Sequence, residues 1–209
     1  MRDIAFVDVE TTGLDPESRV VEVAVFRTQP SGLFRFIDQD IRHWRVRPPE
    51  DCHVEEKALE INGFTWEKWK HEQTFKDIEP LLTDFLADAI VAGWNVKFDL
   101  GMLESEYSRL GLKVPWHYHS MDVMNYMMPL YFAGAVKSLS LAAACDYFRI
   151  SNEGAHGARV DVLRTMAVFH RLSVMWGFFG GRMGYVTDGP DEDWPVDVTE
   201  DELELGRKF

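Results

Sequence analysis

The stretch Ile4-Ala-Phe-Val-Asp-Val-Glu-Thr-Thr-Gly13 decides how the rest of the chain is read. Its apolar, β-branched first half predicts a buried strand. Residues i and i+2 of a strand share a face, so Asp8 and Glu10 stand side by side. Two carboxylates so placed repel each other unless a positive group lies between them, and acids are rarely buried unless paired or bound to metal. A strand that stops at Val7 and leaves both acids in a solvated turn is the other reading of these ten residues. The remainder of the chain has to decide between them.

A chain of 209 residues with 46% apolar and 27% charged side chains has the composition of a globular domain with a substantial core. It contains no apolar run of the ~18 residues that a membrane-spanning helix needs. Met1-Arg2-Asp3 leads straight into the first strand, so no secretory leader is expected. Cys52 and Cys145 form no CxxC pair, and a reducing cytoplasm is the expected compartment.

The formal net charge of −13 runs against a protein that meets phosphates through Lys and Arg. Its distribution weakens that objection. Nine acids and no base lie between Asp188 and Glu204, which leaves a net −4 on the rest. Four clustered carboxylates with two divalent cations among them account for that remainder. A phosphodiester substrate is therefore compatible with the charge.

Two further strands are expected early, over Arg19–Thr28 and over Leu33–Pro49, with "TTGLDPES" as the turn between the first two. Beyond Pro49, "TFKDIEPLLTDFLADA" places Ile78, Leu81, Leu82, Phe85 and Leu86 on one helical face around Pro80. "IVAGWN" reads as a short buried strand and "DLGMLESEYSRLGL" as a helix. "SLSLAAACDYFRI" and "GARVDVLRTMAVFHRLSVMW" are helical by period, while "MDVMNYMMPLYF" is left open. Strands first, then helices alternating with strands, predict an α/β sheet flanked by helices. The domain is expected over residues 1–176. Residues 177–209, Gly-rich and then acidic, form an appendage for which a solubilising tail is one reading and a partner-binding segment another.

Three more residues share the placement of Asp8 and Glu10 at element boundaries. Asp99 follows a buried strand where a helix begins, and a helix cap explains it equally well. His156 and Asp161 lie in "HGARVD", where a loop histidine and a favourable acid in a first helical turn are the bland alternatives. Together these four carboxylates and one imidazole have the composition of a two-metal phosphodiester site. Mg²⁺ and Mn²⁺ favour carboxylate and water oxygens, and a histidine titrates near neutrality, as a general base must.

Three motifs in order give this chain a family resemblance. "DVETTGL" resembles the first motif of the DEDD exonucleases, "GWNVKFDLGML" the second and "HGARVD" the third. Tyrosine-type members carry Tyr four residues before the last Asp, where this chain has Gly157. Histidine-type members carry His five before it, where this chain has His156. The resemblance is thus to the DEDDh subgroup, which includes proofreading exonuclease subunits, oligoribonuclease and ribonuclease T. "ALEINGFT", "SMDVM" and "KSLSLAAACDYFRI" extend it over residues 3–172.

The resemblance implies a ribonuclease H-like mixed sheet flanked by helices and a 3′–5′ exonuclease acting on single-stranded DNA or RNA ends. It implies two divalent cations, Mg²⁺ or Mn²⁺, held by Asp8, Glu10, Asp99 and Asp161, with His156 as general base. It also implies substrate contacts from the Thr11–Thr12 backbone and Leu14, with Trp94 and Asn95 of the second motif as further candidates, and it admits a polymerase or other replication or repair protein as a partner. An RNA-trimming enzyme and a noncatalytic nucleic-acid-binding module are the alternatives. Two positions depart from the family pattern. Trp94 stands where members often have His, either as a core aromatic or as a base platform, and Val160 stands where many have Ala.

Overall fold

The computed structural model describes residues 2–29 and 40–176. Strands β1 (Ile4–Thr11), β2 (Val20–Thr28) and β3 (Asp40–Arg45) run antiparallel in sequence order. Strands β4 (Ile90–Gly93) and β5 (Ser120–Asp122) then add parallel to β1, giving the order β3-β2-β1-β4-β5. Seven helices are described: α1 (Glu56–Asn62), α2 (Trp66–Trp69), α3 (Phe75–Leu86), α4 (Lys97–Arg109), α5 (Met128–Phe132), α6 (Leu141–Phe148) and α7 (Ala158–Trp176). None is long and apolar enough to cross a membrane.

Alternation along β1 sorts the two layers. Ala5, Val7 and Val9 pack with Val23 and Val25 against Ile78, Leu82 and Leu86 of α3 and Leu103 and Tyr107 of α4. Phe6, on the opposite face, packs with Ala24 and Phe26 against Val162, Met166 and Phe169 of α7. Asp8 and Glu10 continue the Phe6 face past the point where its apolar packing ends, beneath the start of α7. The sheet thereby puts both acids at the C-terminal end of its central strand, on the side where α7 begins.

The expected α/β order holds, with local differences. The third strand was expected from Leu33, and its first part falls on residues 30–39, outside the described residues; the described portion is Asp40–Arg45. The open "MDVMNYMMPLYF" resolves into β5, a 3₁₀ turn over Val123–Met127 and α5. Helices α1 and α2 were not foreseen, because each is short and carries little amphipathic period. Trp69 of α2 is buried against Phe64 and donates its indole N–H to the Val21 carbonyl at 2.8 Å. In α3, Leu81 is 60% exposed rather than part of the apolar face. The i, i+4, i+8 ridge of Ile78, Leu82 and Leu86 meets the sheet and rolls Leu81 outward. Asp77 anchors this helix by accepting from the Thr74 N–H and hydroxyl at 2.9 and 2.6 Å, and Pro80 lies within the helix without ending it. The expected appendage over 177–209 lies outside the described residues.

Leu82 is fully buried between α3 and the sheet. Leu82→Ala should lower the unfolding free energy by about 2–5 kcal/mol, read as a shift in the urea midpoint without a change in slope.

Candidate active site

Two elements far apart in sequence bring three acids together. β1 supplies Asp8 and Glu10, and the first turn of α7 supplies Asp161. One carboxylate oxygen from each lies within 4.8 Å of the other two. Asp161 is fixed from both sides. Its Oδ1 accepts from Arg164 at 2.6 Å, and its Oδ2 accepts from the His156 backbone N–H at 3.3 Å. Arg164, one turn further along α7, is itself 6% exposed and also bonds Asn152.

Asp99 approaches from the opposite layer. It sits in the first turn of α4, is 3% exposed, and accepts the Val9 backbone N–H at 2.9 Å. The helix-cap alternative is therefore set aside, since this side chain stitches α4 to the end of β1. Asp99 lies outside the three-oxygen group but near enough for its charge to act on Asp8.

The electrostatics record this convergence. Burial pushes the Asp8 carboxyl well above its ordinary range, and the charges of Asp99, Asp161, Glu10 and Glu22 add to it. Burial, then Glu22, Asp161 and Asp99, raise Glu10 to about 8. Burial raises Asp99 to about 8 against the opposing Val9 hydrogen bond. Acids raised in this way hold their protons more tightly than free ones, and a bound cation would favour their ionised form. The donor set is all oxygen, close-set and partly buried, and it fits a hard divalent ion.

Glu22 is the acid that the motifs did not reveal. It lies opposite Glu10 in the β1–β2 register and is 8% exposed. Burial opposes its charge, but His43, the Ala158 N–H and Arg45 outweigh burial and hold its carboxyl below the ordinary range. The signal was present in "RVVEVAVF", where one acid interrupts a valine-rich strand on the same face as Glu10 in an antiparallel pairing. Asp122 was likewise not singled out as a site carboxylate. It accepts the Asn95 N–H at 3.0 Å and caps the 3₁₀ turn through the Met124 N–H.

His156 is exposed beside Asp161, with a left-handed backbone (φ 70°). A non-glycine residue held there is strained, a condition that gathers at functional sites. Asn95, also left-handed at φ 56°, is exposed at the end of β4. Leu14 is 75% exposed at the tip of the turn after β1. Thr11 and Thr12 lie beneath it and are buried. Thr12 uses its N–H, carbonyl and hydroxyl on Arg19 and Glu55, so it braces the turn rather than offering free backbone groups. Trp94 turns inward, packing with the α7-side core and donating to the Leu139 carbonyl at 3.0 Å. Of its two readings, the core aromatic is the one observed.

A second group, Asp15, His53 and Glu55, also places one ligand-type atom from each residue within 4.8 Å. Its geometry is that of a brace. His53 pairs with Asp15 at 3.4 Å, and Glu55 accepts the Leu14 N–H at 3.0 Å.

A sheet of this order flanked by helices, with acids from β1, α4 and α7 meeting at one end, is a ribonuclease H-like α/β fold. A family model for exonucleases, RNase_T, matches residues 5–169. The chain belongs to that exonuclease family, within the DEDD 3′–5′ exonuclease superfamily. It is 30% identical over 201 residues to DNA polymerase III subunit epsilon of Rickettsia prowazekii, covering 92% of this chain and 81% of that one. It is 28% identical over 216 residues to ribonuclease T of Shewanella frigidimarina, covering 94% and 88%. Among solved structures, Escherichia coli exonuclease I bound to a dT13 oligonucleotide superposes with a TM-score of 0.72 at 19% identity, covering 86% of this chain. The fold is shared, and this chain spans 43% of the exonuclease I chain.

The raised carboxyls make a stability prediction. Unfolded, these acids titrate near 4, and folded without metal Glu10 and Asp99 titrate near 8. Between those values the folded chain retains protons that the unfolded chain releases, so stability is greatest at the acid end of this window and falls as pH rises through it. The melting temperature of metal-free protein should drop from about pH 5 to about pH 8. Added Mg²⁺ or Mn²⁺ should restore it at the upper end, and Glu10→Gln should flatten the slope.

Proposed function

We propose that the protein is a metal-dependent 3′–5′ exonuclease that releases nucleoside 5′-monophosphates from single-stranded ends, with DNA favoured. The observation that carries this reading is the meeting of Asp8, Glu10 and Asp161 within 4.8 Å from opposite ends of the chain. Asp8, Glu10 and Asp161 would hold one divalent cation, and Asp8 with Asp99 a second, as Mg²⁺ or Mn²⁺. When bound, these ions supply charge stabilisation for the attacking and leaving oxygens of an in-line displacement.

The protein groups do the rest. His156, exposed beside Asp161, takes the proton from the attacking water as its oxygen bonds to phosphorus and the 3′-oxygen of the preceding nucleotide departs. Arg164 and the His156 N–H hold the Asp161 carboxylate in a single orientation. Leu14 meets the terminal base from the tip of a turn braced by Thr11 and Thr12. Asn95 faces the cleft from the end of β4, with Trp94 fixing its backbone from the core side.

Two relatives bear on the substrate. The likeness to a DNA polymerase III epsilon subunit supports DNA and a replicative polymerase as partner. The likeness to a ribonuclease T over nearly the whole chain supports the second reading, RNA trimming.

The test is a time course on 5′-labelled single-stranded DNA and RNA of one sequence, with Mg²⁺ or Mn²⁺ and an EDTA control. A ladder shortening from the 3′ end only with metal is expected, and the faster strand identifies the sugar. Asp161→Ala should give no ladder, and His156→Ala should slow hydrolysis by about 10²–10⁴-fold. Strands that bind but never shorten would overturn the enzyme reading in favour of a binding module.

A further inference from the structure

We infer that Glu22 is a positioning residue of this site: its carboxylate ties the sheet to the first residue of α7 and so sets where Asp161 and His156 stand against Asp8 and Glu10. The inference rests on the exonuclease reading for its consequence in catalysis, though its geometry is independent of that reading.

Glu22 projects from β2 on the same face as Glu10, its register partner. Both of its oxygens are taken by protein groups. Oε2 accepts the backbone N–H of Ala158 at 3.2 Å, across 136 residues of sequence. Oε1 lies 2.6 Å from His43 Nε2, which reaches in from the edge strand β3. Ala158 is fully buried, and its amide belongs to the first turn of α7, where the helix itself provides no acceptor. A buried amide of this kind requires a partner, and Glu22 provides it. A carboxylate also suits the positive end of the helix dipole.

The placement of this bond gives it leverage. Asp161 lies three residues beyond Ala158, in the same turn, and its N–H donates to the Gly157 carbonyl at 3.0 Å. His156 lies two residues before Ala158, in a left-handed backbone whose N–H returns to Asp161. A shift of the Ala158 amide therefore moves both residues together. Glu22 is not part of the three-oxygen group formed by Asp8, Glu10 and Asp161. It acts by fixing the helix start. Outer groups that orient metal-binding side chains commonly change affinity or activity by about 10- to 100-fold when removed.

Reach and charge are separable at this position. Glu22→Gln keeps an oxygen at full reach and removes the charge, while Glu22→Asp keeps the charge and withdraws it by one methylene. With the labelled-strand assay, Glu22→Asp should lower kcat by about 10- to 100-fold with KM within about twofold. Glu22→Gln should remain within about threefold of the parent. Mn²⁺ titration followed by electron paramagnetic resonance should give the same order, with affinity weakened in Glu22→Asp and retained in Glu22→Gln. Equal losses in the two variants, the reverse order, or no loss in either overturns the inference. A parent protein that hydrolyses no strand while Mn²⁺ binding still follows the expected order would sink the exonuclease reading and leave the positioning role standing.

Discussion

Mutual repulsion among carboxylates is the constraint around which this domain is arranged. Asp8, Glu10, Asp99, Asp161 and Glu22 converge on one end of the central strand, where burial deprives them of the solvent that would screen them. Hydrophobic packing alone would not offset the repulsion and desolvation of such a set. The chain opposes this with fixed donors placed around the rim: Arg164 and the His156 amide on Asp161, the Val9 amide on Asp99, and His43 with the Ala158 amide on Glu22. Within that rim, Asp8, Glu10 and Asp161 each bring one carboxylate oxygen within 4.8 Å of the other two, a spacing that fits a hard divalent ion.

This arrangement explains why the helices sit where they do. α7 crosses β1 and β2 with its first turn above the acids, and its long buried face, from Val162 to Leu172, holds that turn in register. α4 approaches from the opposite layer and reaches through to β1 with Asp99. Its far end is tied to the start of β2 by the paired Arg19–Glu106 contacts at 2.6 and 2.8 Å. The carboxylates of the site are thus carried by strands and helices, and the turn bearing Leu14 is anchored by Thr12 and Glu55.

Much of this was legible in the sequence, and for identifiable reasons. Asp8 and Glu10 announced themselves because two acids at i, i+2 contradict a buried strand. Asp99, His156 and Asp161 followed from motif spacing, and α7 and α3 from their apolar period. What escaped depended on pairing rather than on local pattern. Glu22 becomes part of the site only once β1 and β2 are in register. Trp94 declares itself a core residue only when the Leu139 carbonyl is seen beneath its indole. Helices α1 and α2 are too short to carry a period of their own; α1 ends at a left-handed Gly63, and Phe64 and Trp69 pack on Val21 with Leu59 of α1 against them. The outward roll of Leu81 depends on which ridge of α3 meets the sheet, which no single helix specifies by itself.

The turn between β1 and β2 has a different consequence, for redesign. A methyl group added at Gly13 would stand 2.5 Å from Glu55 Oε1 and 2.7 Å from Ser18 Oγ, whereas Leu14 next to it is 75% exposed. Adjacent positions therefore tolerate variation very differently: one is locked by its neighbours, and the other is open to any side chain the backbone accepts. A library randomised at position 14 alone would vary an exposed side chain while leaving the brace beneath it intact. In this turn the position open to solvent is thus separate from the residues that hold its shape.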